Sequence, residues 1–190
     1  RRRPDLTAVR LVQDFLTDRF VRPNVMVDAT CGNGGDTVFL CKLGGKQGRV
    51  LAFDIQPAAI EATRARLARE GIAGSRCRLI LDSHANLLRY VQPGSVDIVM
   101  FNFGWLPGAD HAVHSQAESS VRAMEAALSA LRPGGVLSAV LYSGDVIGDS
   151  EKQAVLAWLE ALPLTACTVL VCRFANWADS APLPCFVIKK

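Results

Sequence analysis

At 190 residues and 20.5 kDa, with half of its residues hydrophobic, the chain is long enough for one domain with a real core and short for two. Twenty-one Lys and Arg against eighteen Asp and Glu leave a formal charge of +3, which permits a polyanionic partner without demanding one. The six cysteines, at 31, 41, 77, 167, 172 and 185, form no CxxC pair and no zinc-type Cys/His spacing. Neither a metal site nor a disulfide framework is signalled, and reduced thiols in a cytoplasmic protein fit best. No apolar run approaches the roughly twenty residues that cross a bilayer, so no membrane partner is expected. Nothing at the start reads as a signal peptide, although the missing initial Met leaves a removed leader open.

Residues 1–190 read as a single domain opened by a basic helical segment over residues 1–22. Leu6 to Phe20 carries apolar residues at helical spacing, and Pro23 stops it. Short apolar runs then alternate with helical patterns: VMVDA and a helix from about Asp36, RVLAFDI and a helix from about Pro57 to Glu70, CRLILD, and VDIVMFNF. A helix through Ser119 to Leu131 follows, then VLSAVLYS, a helix from about Ser150 to Leu162, TVLVCRF and PCFVIKK. Strand alternating with helix predicts an α/β fold, a doubly wound parallel sheet with its ligand crevice at the carboxyl ends of the strands. The last two strands are joined by NWADSAPL, too short for a crossover helix, and are predicted to pair as an antiparallel hairpin.

VDATCGNGGDT, Val27 to Thr37, sets Gly32 and Gly34 in the first strand-to-helix turn, where bare backbone lets a ligand approach the main chain. The next strand ends at Asp54, placed to accept both ribose hydroxyls of a nucleoside. A dinucleotide and S-adenosylmethionine both fit this pair. Charge separates them: a pyrophosphate is repelled by neighbouring carboxylates, whereas the methionine part of S-adenosylmethionine carries a sulfonium and an ammonium. Asp28 and Asp36 flank the loop and favour the sulfonium cofactor, and Thr37 stands where the dinucleotide fingerprint has its third glycine.

With Asp28, Cys31, Gly32 and Gly34 in place, the chain resembles the Rossmann-like S-adenosylmethionine-dependent methyltransferases, except that Thr30 stands where many members have glycine. Asp82-Ser83-His84 after the third strand, FNFGWLPG after the fourth and LRPGG before the fifth extend the likeness, as does the terminal hairpin, which in these enzymes completes a seven-stranded sheet. The combination of DATCGNGGDT, AFDIQ, LDSHANL, FNFGWLPG and YSG followed by Gly148 and Glu151 is similar to the small family labelled putative rRNA methylases. Its best-understood members methylate the aminomethyl group of 5-aminomethyl-2-thiouridine at the wobble position of bacterial tRNA. The resemblance implies S-adenosyl-L-methionine as cofactor, held by Asp28, Cys31, Asn33, Gly34, Asp36, Thr37, Asp54, Gln56, Ser83 and His84.

It also implies that Asn102 and Trp105 serve the reaction, with Phe103, Gly104, Leu106, Pro107, Gly108, Tyr142 and Asp145 at the substrate. An amide oxygen at Asn102 can orient an amine, and an aromatic face at Trp105 can stack on a base. Trp105 replaces a usual Tyr, and Gly144-Asp145 a usual Gly-His. Asp110, His111 and His114 fall in a lid loop, with no metal expected. Attack by a cysteine nucleophile on a pyrimidine ring is disfavoured because no cysteine lies in this loop.

The partner implied is the tRNA anticodon stem-loop, gripped through phosphates by basic regions at Arg1, Arg2, Arg3, Arg10, Arg19 and Arg22 and at Arg64, Arg66, Arg69, Arg76, Arg78 and Arg89. A homodimer is compatible with this reading. Alternatives are an rRNA or small-amine methyltransferase, a nicotinamide dehydrogenase, disfavoured by Thr37 and LRPGG, and a non-catalytic RNA-binding module.

Overall fold

The apolar runs of the sequence become the seven strands of one sheet. In the computed structural model the described residues are 5–104, 117–143 and 146–190, without the side chains of 146–149. Helix α1 (Ala8–Arg19) opens on Thr7, whose hydroxyl accepts from the Arg10 N–H at 3.1 Å, and buries Ala8, Val12 and Leu16 at helical spacing. There follow β1 (Val25–Asp28), α2 (Gly35–Gly44), β2 (Arg49–Asp54), α3 (Pro57–Arg69), β3 (Cys77–Leu81) and β4 (Val96–Phe103). The second half holds α4 (Ala117–Ala130), β5 (Leu131–Leu141), α5 (Val146–Ala161), β6 (Cys167–Val171) and β7 (Leu183–Lys189). Two short 3₁₀ turns, Gly74–Arg76 and His84–Arg89, lie beside β3 and had no periodic signal in the sequence because they are too short to show one.

The strand order is β3-β2-β1-β4-β5-β7-β6. Strands β1 to β5 run parallel, and β7 is inserted antiparallel between β5 and β6. The expected doubly wound, seven-stranded sheet with its terminal hairpin is therefore what forms. Strand order reverses between β1 and β4, so a crevice opens at their carboxyl ends.

Period-two alternation divides β4 between two cores. Ile98 and Met100 face the side of α1, α2 and α3, together with Leu16, Leu40 and Ile60, while Val99, Phe101 and Phe103 face the side of α4 and α5, with Met124 and Val155. Asn102 shares the first of these faces, which puts it beside the turn into α2. On that face Phe15 of α1 stacks on Phe186 of β7 with ring centroids 4.0 Å apart.

Three boundaries differ from the expectation. Strand β5 starts at Leu131, not after LRPGG: the register jumps from Val96 with Leu131 to Ile98 with Val136, so Arg132 to Gly135 bulge out of the ladder. Helix α5 starts at Val146, ahead of Ser150. Strand β6 stops at Val171, although the Cys172 N–H still reaches the Pro184 carbonyl at 2.8 Å.

Asp97 fastens the lower end of the sheet. Its Oδ2 accepts the N–H groups of Asn24 at 2.8 Å and Val25 at 3.0 Å, and Arg132 of the bulge donates to Oδ1. Burial alone would raise the pKa of this carboxyl, but the Arg132 and backbone hydrogen bonds hold it below the ordinary value. Asp97→Ala leaves two N–H groups and a guanidinium without their acceptor and should cost about 3 kcal/mol in urea unfolding. A folded pKa lower than the unfolded one gives stability that is complete above about pH 4 and is lost as pH falls through the folded value. Unfolding curves of wild type and Asp97→Ala should converge in acid, and a gap constant down to about pH 2 would contradict this role.

Candidate cofactor and substrate site

The turn from β1 into α2 is stitched to both neighbouring strands. The Ala29 N–H donates to the Met100 carbonyl at 2.8 Å, and the Cys31 N–H to the Phe53 carbonyl at 2.9 Å. Gly34 then caps α2 at φ +83°, and a Cβ there would lie 3.1 Å from the Cα of Thr63. A side chain would thus meet both strain and the backbone of α3. Thr63 is fully buried and donates its hydroxyl to the Gly32 carbonyl at 3.1 Å, so α3 holds the loop from outside.

Three carboxyls surround this backbone. Asp28 is wholly buried, its Oδ2 accepting from the Thr37 hydroxyl at 2.7 Å and its Oδ1 from the Thr30 N–H at 3.2 Å. Burial, and next the charge of Asp36, push its pKa up to about 7 against the lowering effect of those hydrogen bonds. Asp36 is half-buried and also shifted upward, by burial first, with the Asn102 hydrogen bond and the Arg66 charge acting the other way. Asp54 at the end of β2 accepts the Gly32 N–H at 3.1 Å on Oδ2 and the Gln56 N–H at 3.0 Å on Oδ1. Its spare lone pairs remain for hydroxyl donors. Backbone N–H groups and acids thus converge on one concave turn, an arrangement suited to a nucleoside joined to a cation.

The third-strand segment supports the turn from below. Asp82 accepts from the Ser83 N–H at 2.7 Å, the Asn86 amide at 2.8 Å and the Tyr90 hydroxyl at 2.6 Å. The Tyr90 and Asn86 hydrogen bonds hold its carboxyl below the ordinary value. Ser83 caps the following 3₁₀ turn, accepting from the Ala85 N–H at 3.2 Å. His84 is buried, with Nδ1 3.1 Å from the Ala29 carbonyl and its ring against Phe101 and Phe103. A carbonyl can only accept, so Nδ1 carries the proton and Nε2 is the acceptor edge. Burial lowers the pKa of this ring, which favours the neutral form.

At the end of β4 the residues expected to serve the reaction meet the loop. The Asn102 N–H donates to the Thr30 hydroxyl oxygen at 2.8 Å, and the Asn102 Nδ2 donates to Asp36 Oδ2 at 2.7 Å. A carboxylate partner fixes the amide orientation, and among the described residues Oδ1 has no hydrogen-bond donor. Two residues on, Gly104 has φ +112°, and a Cβ there would lie 3.0 Å from the Tyr142 carbonyl oxygen. Tyr142, whose N–H donates to the Phe103 carbonyl at 2.9 Å, is half-buried, and burial followed by the charge of Asp36 raises its phenol pKa. From α5, the buried Glu151 accepts the Ser120 hydroxyl at 2.7 Å and the Gly104 N–H, joining the end of β4 to the first turns of α4.

The structure therefore gathers Asp28, Cys31, Asn33, Gly34, Asp36, Thr37, Asp54, Gln56, Ser83 and His84 around one turn, with Asn102, Phe103, Gly104 and Tyr142 beside it. Asp28, Thr37 and Cys31 are buried, so they shape and charge the loop from beneath. Burial and Asp28 push the Cys31 thiol up to about 12, which makes it an inert packing group. Phe103 points into the core on the α4 side. Trp105, Leu106, Pro107, Gly108, Asp110, His111, His114 and Asp145 lie outside the described residues.

Thr63, and the contact of Arg66 with the Asn33 carbonyl at 3.4 Å, are not foreseen from the sequence, which places Arg66 only in a basic region, because nothing local marks which face of α3 meets the loop. Thr30 was noticed only as a departure from glycine. Glu151 had a signal in the YSG pattern but no role attached to it.

The family model "Putative rRNA methylase" matches residues 50–188. A curated relative, the tRNA (mnm(5)s(2)U34)-methyltransferase, chloroplastic, of Arabidopsis thaliana, is 33% identical over 176 residues, 88% of this chain. The chain spans 64% of that relative's length. A crystal structure from Clostridium thermocellum, described as a putative rRNA-methylase, is 35% identical with a TM-score of 0.93, covering 99% of this chain and 100% of its own. A putative methyltransferase from Streptococcus mutans, solved in complex with SAH, is 34% identical with a TM-score of 0.87, covering 98% and 100%.

The buried acid predicts a pH signature. Asp28 is mostly protonated below about pH 7 in the free protein, whereas a cationic ligand favours its ionised form. Affinity for S-adenosylmethionine should rise between pH 6 and 8, by up to about tenfold per unit at the acid end, with proton release on binding. Calorimetry in buffers of different ionisation enthalpy measures both, and Asp28→Asn should flatten the profile. An unaltered profile in that variant would remove Asp28 from the account.

Proposed function

The chain belongs to the putative rRNA methylase family, and from that premise we propose that it is an S-adenosylmethionine-dependent methyltransferase acting on the aminomethyl nitrogen of 5-aminomethyl-2-thiouridine at the tRNA wobble position. The observation that carries this reading is the Asn102 amide. Its N–H₂ end is held by Asp36 and its backbone N–H by Thr30, so its Oδ1 is an oriented acceptor beside the cofactor turn. An acceptor of that kind suits the N–H of an amine.

Bound S-adenosylmethionine would supply an electrophilic methyl carbon on a sulfonium, open to in-line attack by an amine lone pair with a neutral thioether as leaving group. The residues of the chain need only align the amine and keep it unprotonated. Asn102 Oδ1 directs the lone pair by accepting the amine N–H. Asp36 fixes the amide, and when ionised it would offer negative charge to the cationic end of the cofactor. Tyr142 and Gly104 wall the same position, and the Glu151 hydrogen bond sets where Gly104 stands.

The activity named for the Arabidopsis relative supports the wobble aminomethyl group as acceptor, and the SAH complex of the Streptococcus protein supports the cofactor. Arg66 and Arg69 on α3 and Arg78 on the edge strand β3 suit RNA phosphates. Arg76 does not, since it turns inward to the Cys41 carbonyl with its Nε buried.

Mass spectrometry of tRNA nucleosides tests the substrate. Deletion of the gene, in cells with no second enzyme for the step, should shift methylaminomethyl-thiouridine to aminomethyl-thiouridine. An unchanged ratio together with lost rRNA methylation would move the activity to the ribosome. Asn102→Ala should lower kcat about a hundredfold or more with cofactor affinity changed severalfold at most, and equal losses in both would assign Asn102 to cofactor binding instead.

A further inference from the structure

The hairpin between β6 and β7 has a feature that strand pairing does not require. Its loop spans residues 172–182, roughly twice the two to five residues that close most hairpins. It is ordered by its own hydrogen bonds, from the Trp177 N–H to the Phe174 carbonyl at 3.2 Å and from the Ala181 N–H to the Ala178 carbonyl at 2.9 Å. Long ordered loops of this kind are where binding residues concentrate. Phe174 and Trp177 stack within it, ring centroids 4.3 Å apart and planes 22° from parallel. Phe174 is rooted against the α1-side core, while Trp177 is 42% exposed.

Register shows where this pair stands. Strand β6 runs parallel to β5, because both pair antiparallel with β7, so its carboxyl end lies on the crevice edge of the sheet. Asn102 pairs with Val140, Val140 with Pro184, and the Pro184 carbonyl accepts the Cys172 N–H. Three steps of about 4.8 Å put the start of the loop about 15 Å from Asn102 along the sheet. Arg173, exposed and next to Phe174, adds a cation.

We propose that Phe174 and Trp177 form a stacking platform for an unpaired nucleobase flanking the methylated nucleotide, with Arg173 toward its phosphate. The proposal rests on the reading of the substrate as RNA and adds the surface that grips the single strand. A base gains from an exposed aromatic face whatever its sequence, and a face already held by Phe174 loses little freedom on binding. An indole left in water beside a catalytic crevice then has a purpose.

The test uses the full chain and a fluorescently labelled anticodon stem-loop at one salt concentration, with wild type, Trp177→Ala, Trp177→Leu and Trp177→Tyr. Ala and Leu should weaken binding roughly tenfold or more, and Tyr should keep most of it. S-adenosylmethionine affinity and Tm should match wild type in all three. A duplex of the same stem without its loop, which offers no unpaired base, should bind wild type and Trp177→Ala equally. Equal binding of the stem-loop by wild type and Trp177→Ala would overturn the platform while leaving the RNA reading intact. Full binding by the Leu variant would overturn stacking as its basis. Failure of wild type to bind the stem-loop at all would overturn the RNA reading and the platform together.

Discussion

A carboxyl sealed beneath a bare backbone turn is the constraint on which the site depends. Asp28 lies at the end of β1, where the strand order reverses, and its two oxygens are taken by the Thr30 N–H and the Thr37 hydroxyl. Those bonds set the path of the loop, and the loop sets the rest. Thr30, held by Asp28, accepts the backbone N–H of Asn102; Asp36, one residue before Thr37, accepts the Asn102 side chain. The Asn102 amide, proposed to orient the substrate, is thus positioned by the residues that charge the cofactor turn. Burial that raises the pKa of Asp28 also makes its ionisation responsive to an arriving cation.

The sheet turns this local chain of bonds into a rigid frame. Met100 and Phe53 supply carbonyls from strands on opposite sides of β1, and His84 braces the loop from underneath through Ala29. At the outer end, Glu151 joins Gly104 to Ser120, so α5 helps hold the end of β4. Buried carboxyls carry different burdens here. Asp97 is kept ionised by Arg132 and backbone donors, whereas burial pushes Glu151 toward its neutral form against its hydrogen bonds to Ser120 and Gly104.

Much of this was legible in the sequence, because it depends on neighbours in the chain. Gly32, Gly34 and Asp54 were placed by a strand-turn-helix frame whose geometry hardly varies, and Gln56 by the family resemblance. The pairing of TVLVCRF with PCFVIKK followed from a connector too short for a helix. The start of β5 was missed because LRPGG looks like a turn, whereas Leu131 and the Val136 that follows it pair with β4 on either side of a bulge. Thr63, Arg66 and Glu151 were not legible as site residues, since a helix face acquires its partner only when the helix packs. Arg76 read as part of a basic patch, but the packing of α2 turned it toward Cys41.

By itself the sequence determined the alternation of strand and helix, the place of the nucleoside turn, and the sign of charge that makes the turn better suited to a sulfonium than to a pyrophosphate. These follow from short-range rules of periodicity, turn geometry and Coulomb attraction. Tertiary structure decided which acids are buried, which way the Asn102 amide faces, and which side chains clamp the end of β4. Asn102 and Asp36 are 66 residues apart, and Ser120 and Glu151 31 apart. Contacts at such separations exist only once the sheet has closed, and burial within it, followed by the charge of Asp36, lifts the pKa of Asp28 to about 7.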